Sequence, residues 1–148
     1  MASLEHVQAM MEELGPSMPE IEAVAQEGDA AWAVAFPDDY IVILELDPTE
    51  RKLVLAVDVG RPSEETKLAV YETALSYGYL WRETGGARFA LGGPDGELTL
   101  HFDLEIAELT LADLQLVLQN LVEKARIWRG FLEGGREGSR LEEVGLRI

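Results

Sequence analysis

The sequence predicts an α+β fold, in which an antiparallel sheet of about five strands is combined with three helices in the order α-β-β-β-α-β-β-α. Three observations carry this prediction: a hairpin pattern at 84–104, alternating strand patterns between 32 and 59, and a strongly amphipathic helix pattern after Leu109. A hairpin alone buries too little apolar surface to be stable in water. It must therefore dock on the long helix that follows it and on the strands that precede it.

The totals predict one globular domain with an acidic surface. The chain has 148 residues and a net charge of −16, and no Lys or Arg precedes Arg51. Nucleic-acid phosphates and anionic membrane surfaces would be repelled by this charge, so we expect neither as a partner. A basic partner and plain solubility are both compatible with it. We expect one domain over residues 1–134 and a flexible tail at 135–148.

Composition also excludes several kinds of site and targeting signal. Cysteine is absent, which removes disulfides, thiolate nucleophiles and thiolate metal ligands. No run approaches the ~20 apolar residues that span a bilayer. Glu5 stands where a signal peptide would carry positive charge, so we do not expect secretion by that route.

The first predicted element is a short amphipathic helix from Ser3 to Leu14, capped by Ser3 and stopped by Gly15-Pro16. Its apolar positions recur three and four residues apart, at Leu4, Val7, Met10, Met11 and Leu14. The methionines either fill the core or form an adaptable surface for apolar partners. His6 is expected to be an exposed bystander.

The next segment predicts an antiparallel meander. Ile21, Ala23 and Ala25 alternate with polar residues and indicate a short edge strand, and three longer strands follow. In the run 40–46, even-numbered residues fall on one face and Ile41 and Ile43 on the other. If the first face covers the core, the second exposes an apolar patch, which is typical of a contact surface.

A middle helix is predicted to begin at Ser63, its candidate cap, and to end at Gly78. Its apolar stripe is narrow, and its end is rich in aromatic side chains, which are Tyr71, Tyr77, Tyr79 and Trp81. Tyr and Trp are enriched where proteins meet one another. Self-association through this segment and packing within one chain both remain open.

The hairpin and the closing helix complete the fold. Leu98, Leu100 and Phe102 alternate with polar residues after a Gly/Pro/Asp turn at 92–96. Thr110 and Asp113 form the pattern of a helix cap, and Gly134-Gly135 ends the helix. The core stripe of this helix is Leu114, Val117, Leu118, Leu121, Ala125, Trp128 and Leu132.

No motif for catalysis or metal binding emerges. His6 and His101 lie too far apart in the chain for a zinc-binding spacing, and the glycine-rich loop joins two strands instead of a strand and a helix. Carboxylates cluster at turns, in the pairs Asp38/Asp39, Asp47/Glu50 and Asp95/Glu97. Aspartate is favoured in turns for its hydrogen bonds to the backbone, so we interpret these pairs as structural. His101 is expected to be solvated or paired across strands.

At this point the residues show a resemblance. The order of elements, Thr84-Gly85-Gly86-Ala87 followed by Leu91, the segment 53–56 before Gly60 and Pro62, and the late Ala125-x-x-Trp128-Arg129 resemble the Tir chaperone (CesT-like) family. These are class I chaperones of bacterial type III secretion, and the match covers roughly Leu4 to Leu132.

The resemblance implies a secretion-chaperone-like fold with a twisted antiparallel sheet and three helices, working as a homodimer in the bacterial cytoplasm. It implies no enzyme activity, no cofactor and no metal. The partner would be a secreted effector, whose N-terminal-proximal segment is held extended and export-competent. An ATPase of the secretion apparatus is a further expected partner.

Carried onto this sequence, the resemblance implies two sets of contact residues. The dimer contacts would be Leu68, Tyr71, Leu75, Tyr79 and Phe89. The effector contacts would be Val7, Met10, Met11, Trp32, Val34, Phe36, Ile41 and Ile43. An extended segment would add main-chain hydrogen bonds to an exposed strand edge while its side chains fill apolar pockets.

Two other hypotheses remain open. The net charge of −16 is compatible with an acidic regulatory protein, or a nucleic-acid mimic, that occupies a basic site on a partner. A hydrolase that uses a carboxylate pair at a turn, with Asp38 or Asp95, is the third hypothesis.

Overall fold

The computed structural model describes residues 2–80, 82, 85–92 and 96–134. In these residues it contains three long helices and six strands. The helices are α1 (Ala2–Ser17), α2 (Lys67–Tyr79) and α3 (Leu111–Gly134), and the strands are β1 (Ala23–Gly28), β2 (Ala31–Phe36), β3 (Tyr40–Leu46), β4 (Lys52–Gly60), β5 (Arg88–Leu91) and β6 (Leu98–Glu105). None of the helices in the described ranges is long and apolar enough to span a membrane.

The strands form one antiparallel sheet in the order β1-β2-β3-β4-β6-β5. The predicted α+β class is therefore confirmed, and the strand beyond the five is the predicted edge strand, β1. The hairpin is present as β5 and β6, with Arg88 opposite His101 and Leu91 opposite Leu98. The tip of its turn, including Asp95, lies outside the described residues, as does the tail 135–148.

The chain divides into two compact units. The first contains the described residues of Met1–Ala56 and Asp103–Gln119, and the second those of Val57–Phe102 and Asn120–Ile148. Elements β4, β6 and α3 contribute residues to both units. The expectation of one domain over residues 1–134 stays a prediction.

In the first unit the core lies on one face of the strands. Along β3 the even-numbered side chains are buried and the odd-numbered ones exposed, which is the consequence of side chains alternating across a strand. The even-numbered residues of β2 and the apolar stripe of α1 are buried as well. Hydrogen bonds join α1 to α3 and to the segment before it, since Gln115 Nε2 donates to Ser17 Oγ at 2.8 Å and His6 Nε2 to the Leu109 carbonyl at 2.9 Å.

In the second unit the core is aromatic. Trp128 of α3 is fully buried, and its ring lies 4.4 Å from that of Phe89 and 5.7 Å from that of Tyr77 between centroids. The neighbouring Arg129 donates from Nε to the Val59 carbonyl at 3.1 Å. Gly60 has a φ of +138°, and a Cβ there would lie 3.3 Å from Leu132, so both the backbone and the packing favour glycine.

Helix α1 begins at Ala2, so Ser3 lies inside it instead of capping it, and three further helix boundaries differ from the sequence predictions. Helix α1 continues through Gly15-Pro16 to Ser17, because a proline in the last turn removes only one hydrogen bond, and Ser17 Oγ donates to the Leu14 carbonyl at 2.7 Å. Helix α2 begins later, at Lys67, because Ser63 caps the preceding turn by accepting the Thr66 N–H at 3.3 Å. It also continues past Gly78 to Tyr79.

The start of α3 agrees with its prediction. The Thr110 hydroxyl accepts the Asp113 N–H, and Asp113 Oδ2 accepts the Thr110 N–H, each at 3.1 Å. This reciprocal pair is the capping arrangement expected from the sequence, and it satisfies two backbone donors at the helix start.

Candidate functional site

Strand β1 is an edge of the sheet. Among the described strands it pairs only with β2, in antiparallel register from Ala23 opposite Ala35 to Gly28 opposite Ala31. All its side chains are exposed except that of Val24, which is half-buried. A strand in this position presents a row of main-chain N–H and C=O groups on its open side, which is a template for pairing with another extended chain.

A groove of about 640 Å³ runs between α1 and this edge strand. Met11 and Trp32 contribute apolar surface to it, and Gln8, Glu12 and Gln26 contribute polar side chains. No Lys or Arg occurs among the described residues that line it. The groove therefore offers apolar contacts, hydrogen-bonding groups and negative charge next to an open strand edge.

Most of the predicted effector contacts are buried in this chain. Val7, Met10, Met11, Trp32, Val34 and Phe36 each have 5% or less of their surface exposed. Of these, only Met11 and Trp32 also line the groove. The side chains of the other four fill the core of the first unit and are not available as surface contacts in this arrangement. The sequence had left open which of the predicted contacts face outward.

The two isoleucines of β3 are on the surface, as their position on the strand predicted. Ile41 is 48% exposed and Ile43 37%, and they lie opposite Ala35 and Ala33 of β2. Small alanines beside two exposed isoleucines make this part of the outer sheet face apolar. It remains the candidate effector surface on the face of the sheet.

The opposite edge strand, β5, is accompanied by α2. A groove of about 290 Å³ between them is lined almost entirely by apolar groups of Ala74, Leu75, Phe89, Leu91 and Leu98, with Tyr71 beside them. Leu75 is 77% exposed, and the predicted contacts Leu68 and Tyr79 are 72% and 86% exposed. Apolar side chains this exposed on one helix and beside an apolar groove are typical of a surface that a partner covers.

Sequence reasoning found part of this edge and missed part. The structure brings Tyr71, Leu75 and Phe89 together around the groove, but places Leu68 and Tyr79 outside its lining. Ala74, Leu91 and Leu98 were missed. The alternation of Phe89 with Leu91 was the available signal, and the Leu91–Leu98 pairing depends on the hairpin register, which the sequence left undetermined.

Beneath this groove lies an unusual tyrosine. Tyr77 is buried, its ring meets Phe89 edge-on at 5.2 Å between centroids, and its hydroxyl has no hydrogen-bond partner among the described residues. Burial raises the pKa of Tyr77 well above its ordinary value of 10.0, because the phenolate would lose its solvation. Of the two possibilities that the sequence left open for this aromatic segment, Tyr77 packs within the chain.

Two of the three carboxylate pairs lie at turns that the structure describes. Asp47 Oδ1 accepts the N–H groups of Arg51 and Lys52 at 3.0 Å each, and Oδ2 accepts the Thr49 hydroxyl at 2.6 Å. The Thr49 hydrogen bond is the main cause that lowers the pKa of Asp47, followed by that of the Lys52 N–H. Asp38 and Asp39 turn the chain between β2 and β3 with φ of 67° and 66°.

Neither histidine belongs to a cluster of potential metal ligands. Across the described ranges, no group of three or more His, Cys, Asp or Glu residues could hold a metal ion. His101 Nε2 lies 2.8 Å from the Thr99 hydroxyl on its own strand. His6 was expected to be an exposed bystander. It is exposed, but its Nε2 donates a hydrogen bond to the Leu109 carbonyl.

An open strand edge beside a groove, together with an apolar helix face at the other edge, defines a module that binds other polypeptides. The model of the Tir chaperone protein (CesT) family matches residues 21–129. This match covers more than half of the chain, and the chain belongs to that family. The resemblance seen in the sequence is confirmed, and with it the predicted class, a type III secretion chaperone that binds effectors.

Solved structures share this fold. The ExsC–ExsE complex matches with a TM-score of 0.73 and 20% identity, over 86% of this chain and 94% of that one. The HopA1–SchA chaperone–effector complex matches with a TM-score of 0.68 and 16% identity, over 87% and 97%. The Yersinia pestis type III secretion chaperone SycH, in complex with a fragment of YscM2, matches with a TM-score of 0.58 and 23% identity, over 80% and 95%. No curated protein sequence matches the chain significantly.

Proposed function

We propose that this chaperone holds an extended, N-terminal-proximal segment of a secreted effector along the β1 edge, keeping it soluble and competent for export. The observation that carries the proposal is the open edge of β1 beside the groove that Met11 and Trp32 line. A strand added to β1 would satisfy its own main-chain groups and those of the edge at once.

The geometry supports tolerance of the client sequence. Side chains alternate along an added strand, so every second one would point toward the groove and the others toward solvent or the outer face. Apolar groups would contact the partly exposed Ile21 and Val24 and the small exposed parts of Met11 and Trp32, and polar ones would meet Gln8 or Gln26. Most of the affinity would then come from main-chain hydrogen bonds and a few apolar anchors.

An apolar client face would find a second contact on the sheet. Ile41 and Ile43, with the alanines of β2, form an exposed apolar surface on the strands next to the edge. Burying an exposed aliphatic side chain stabilises a complex by roughly 1.5–3 kcal/mol when burial is complete. A client segment that leaves the β1 edge and crosses this face would gain part of that free energy.

We further propose a homodimer through α2 and β5. The predicted contacts Tyr71, Leu75 and Phe89 surround one apolar groove, and Leu68 and Tyr79 are exposed on α2 outside it. The second copy would cover these side chains with its own. A dimer would carry two β1 edges, one for each end of a long client segment.

The structures that share the fold support an effector as partner, because HopA1–SchA is a chaperone–effector complex. The proposed mode of action involves no catalysed reaction, and the absence of enzyme activity stays a prediction. The same holds for location in the bacterial cytoplasm and for contact with an ATPase of the secretion apparatus.

The competing hypothesis is an acidic regulator that occupies a basic site, which the net charge of −16 favours. Salt separates the two. Charge-driven binding should weaken at least about tenfold between about 50 and about 500 mM NaCl, whereas strand addition with apolar anchors should change by about threefold or less.

The test is co-expression with each secreted protein encoded beside this gene, followed by the salt titration on the purified complex. We expect the product of one neighbouring gene to co-purify with this chain. In that complex the N-terminal-proximal segment of the effector should be protected from proteolysis. Recovery of the chain alone with every neighbour, or a complex that dissociates steeply with salt, would contradict the proposal.

A further inference from the structure

A third groove lies in the first unit, where the end of β6 leads into α3. It has a volume of about 680 Å³, and apolar side chains, among them Leu104, Leu116 and Val117, form much of its lining. It shares no residue with the groove beside β1 or with the groove between α2 and β5. The proposed effector and dimer contacts therefore leave it unexplained.

Leu116 is a large apolar side chain that this groove leaves exposed. The core stripe of α3 runs through Leu114, Leu118 and Leu121, all fully buried, and Leu116 lies off that stripe with 57% of its surface exposed. A single exposed leucine is ordinary. Here it lines the same groove as the partly exposed Leu104 and Val117, and we call these three side chains the apolar strip.

The charged side chains that line the groove are all acidic. Glu105, Glu108 and Asp113 line the groove and are exposed. Neither Glu105 nor Glu108 forms an ion pair with any residue in the described ranges. The sequence has no Lys or Arg between Arg88 and Lys124. Arg51 is joined to this segment through its carbonyl, which accepts the Ile106 N–H at 3.0 Å.

We propose that this groove docks an amphipathic helix of another protein, with Leu- or Met-type side chains on one stripe and Lys or Arg beside it. A helix suits this groove because Leu104, Leu116 and Val117 offer side-chain contacts to one apolar stripe. Charge complementarity selects a basic partner, since uncompensated carboxylates border the apolar strip.

The consequence is a surface with its own partner. Because this groove shares no residue with the groove beside β1 in the same unit, we expect a basic helix to bind while an effector segment occupies that other groove. The groove would then connect a loaded chaperone to a further protein.

The test uses the full chain and a synthetic amphipathic helix of about 18 residues, with leucines at helical spacing and lysines elsewhere. Calorimetry gives its affinity, and methyl NMR spectra of leucine and valine locate it. We expect the largest shifts at Leu104, Leu116 and Val117. Leu116→Ser should weaken binding about tenfold, because an apolar anchor is lost.

Charge needs a matched control, since a protein of net charge −16 attracts any basic peptide. The pair Glu105→Gln/Glu108→Gln should weaken binding about fivefold at low salt, and Glu64→Gln/Glu65→Gln, with the same change of net charge, by about twofold or less. Circular dichroism checks that each variant is folded.

Three outcomes would overturn the proposal: equal losses in the two charge pairs, unchanged affinity in Leu116→Ser, or methyl shifts confined to other surfaces. A Leu116→Ser chain whose sedimentation mass falls would instead make this groove a contact between copies, which also overturns it.

Discussion

The two edges of the sheet present different chemistry. At β1 the strand itself is exposed, and the neighbouring groove mixes Met11 and Trp32 with glutamine and glutamate side chains. At β5 the groove is almost entirely apolar, and α2 carries Leu75 at 77% exposure beside it. One edge offers main-chain groups to a partner, and the other offers side chains.

This difference indicates two kinds of partner. A polar groove beside an open strand suits a segment that arrives and leaves, because the free site is well hydrated and costs little when empty. A strongly apolar surface is unfavourable in water and suits a lasting contact, such as that between two copies of one chain. The mutations below separate the two edges.

The largest effect is expected at the apolar edge. Leu75→Glu places a charge in the proposed dimer interface and should weaken the dimer by at least about 100-fold, because an unpaired buried charge is strongly unfavourable. Sedimentation velocity measures the mass, and Tyr71→Glu should act in the same direction. Ser76→Glu, an exposed neighbour on the same helix outside the groove lining, serves as the control.

If Leu75→Glu leaves the sedimentation mass unchanged, the interface is placed wrongly. If effector binding per chain falls as far as dimerisation does, the two edges are not separate in function.

A smaller effect is expected at the β1 edge. Main-chain N–H groups alternate in direction along a strand, so one of Val24→Pro and Ala25→Pro removes a donor on the open side and the other a donor that bonds to β2. The first should weaken effector binding about tenfold, the free energy of roughly one hydrogen bond, with stability nearly unchanged. The second should lower the free energy of unfolding by ~1–3 kcal/mol.

Val24→Ala controls for the lost side chain, since Val24 is half-buried and lines the groove. Strand addition at β1 would be refuted if both proline variants bound the effector with the affinity of the original chain. Calorimetry and urea unfolding supply the two measurements.

The smallest effect is expected for Tyr77, which is buried beside Phe89 of the apolar edge, and it is a change in the free energy of unfolding. Tyr77→Phe removes a buried hydroxyl that has no partner among the described residues, and should raise the free energy of unfolding at about pH 8 by ~1 kcal/mol. The folded-state pKa of Tyr77 is raised above 10.0, so its ionisation does not lower the free energy of unfolding below that pH. The free energy of unfolding falls as the pH rises above 10.0, because the unfolded chain ionises first.

Urea unfolding at about pH 8 and about pH 11 measures both parts of this prediction. The gain in stability from Tyr77→Phe should be larger at the higher pH. Phe89→Leu, which keeps Tyr77 and alters the ring beside it, should retain the alkaline loss. A Tyr77→Phe variant that is less stable at both pH values would show that the hydroxyl has a partner.

Local patterns predicted most of the fold. The Thr110–Asp113 cap, the alternation along β3 and the hairpin of β5 and β6 each depend on residues close in sequence, and each is present. The predicted start of α2 was wrong because Ser63 and Thr66 are both residue types that cap helices. The choice between them depends on the turn that hydrogen bonds between these two residues close before the helix.

The candidate site was predicted less well than the fold, and the reason is physical. Trp32 and Val34 alternate with alanines on β2, so both faces of that strand are apolar, and the sequence alone does not show which face the core covers. The structure puts the larger side chains inside, where they bury more apolar surface. Contacts such as that of Leu91 with Leu98 depend on the hairpin register, which the alternating sequence pattern left undetermined.

The open side of β1 has a consequence for how clients evolve. Every residue type except proline carries the same main-chain donor and acceptor, so a client bound there can exchange most of its side chains and still fit. If clients bind there, their genes would be free to drift, to recombine and to acquire new export segments without a matching change in the chaperone. Selection would then act on the client mainly to keep that segment extended and free of proline.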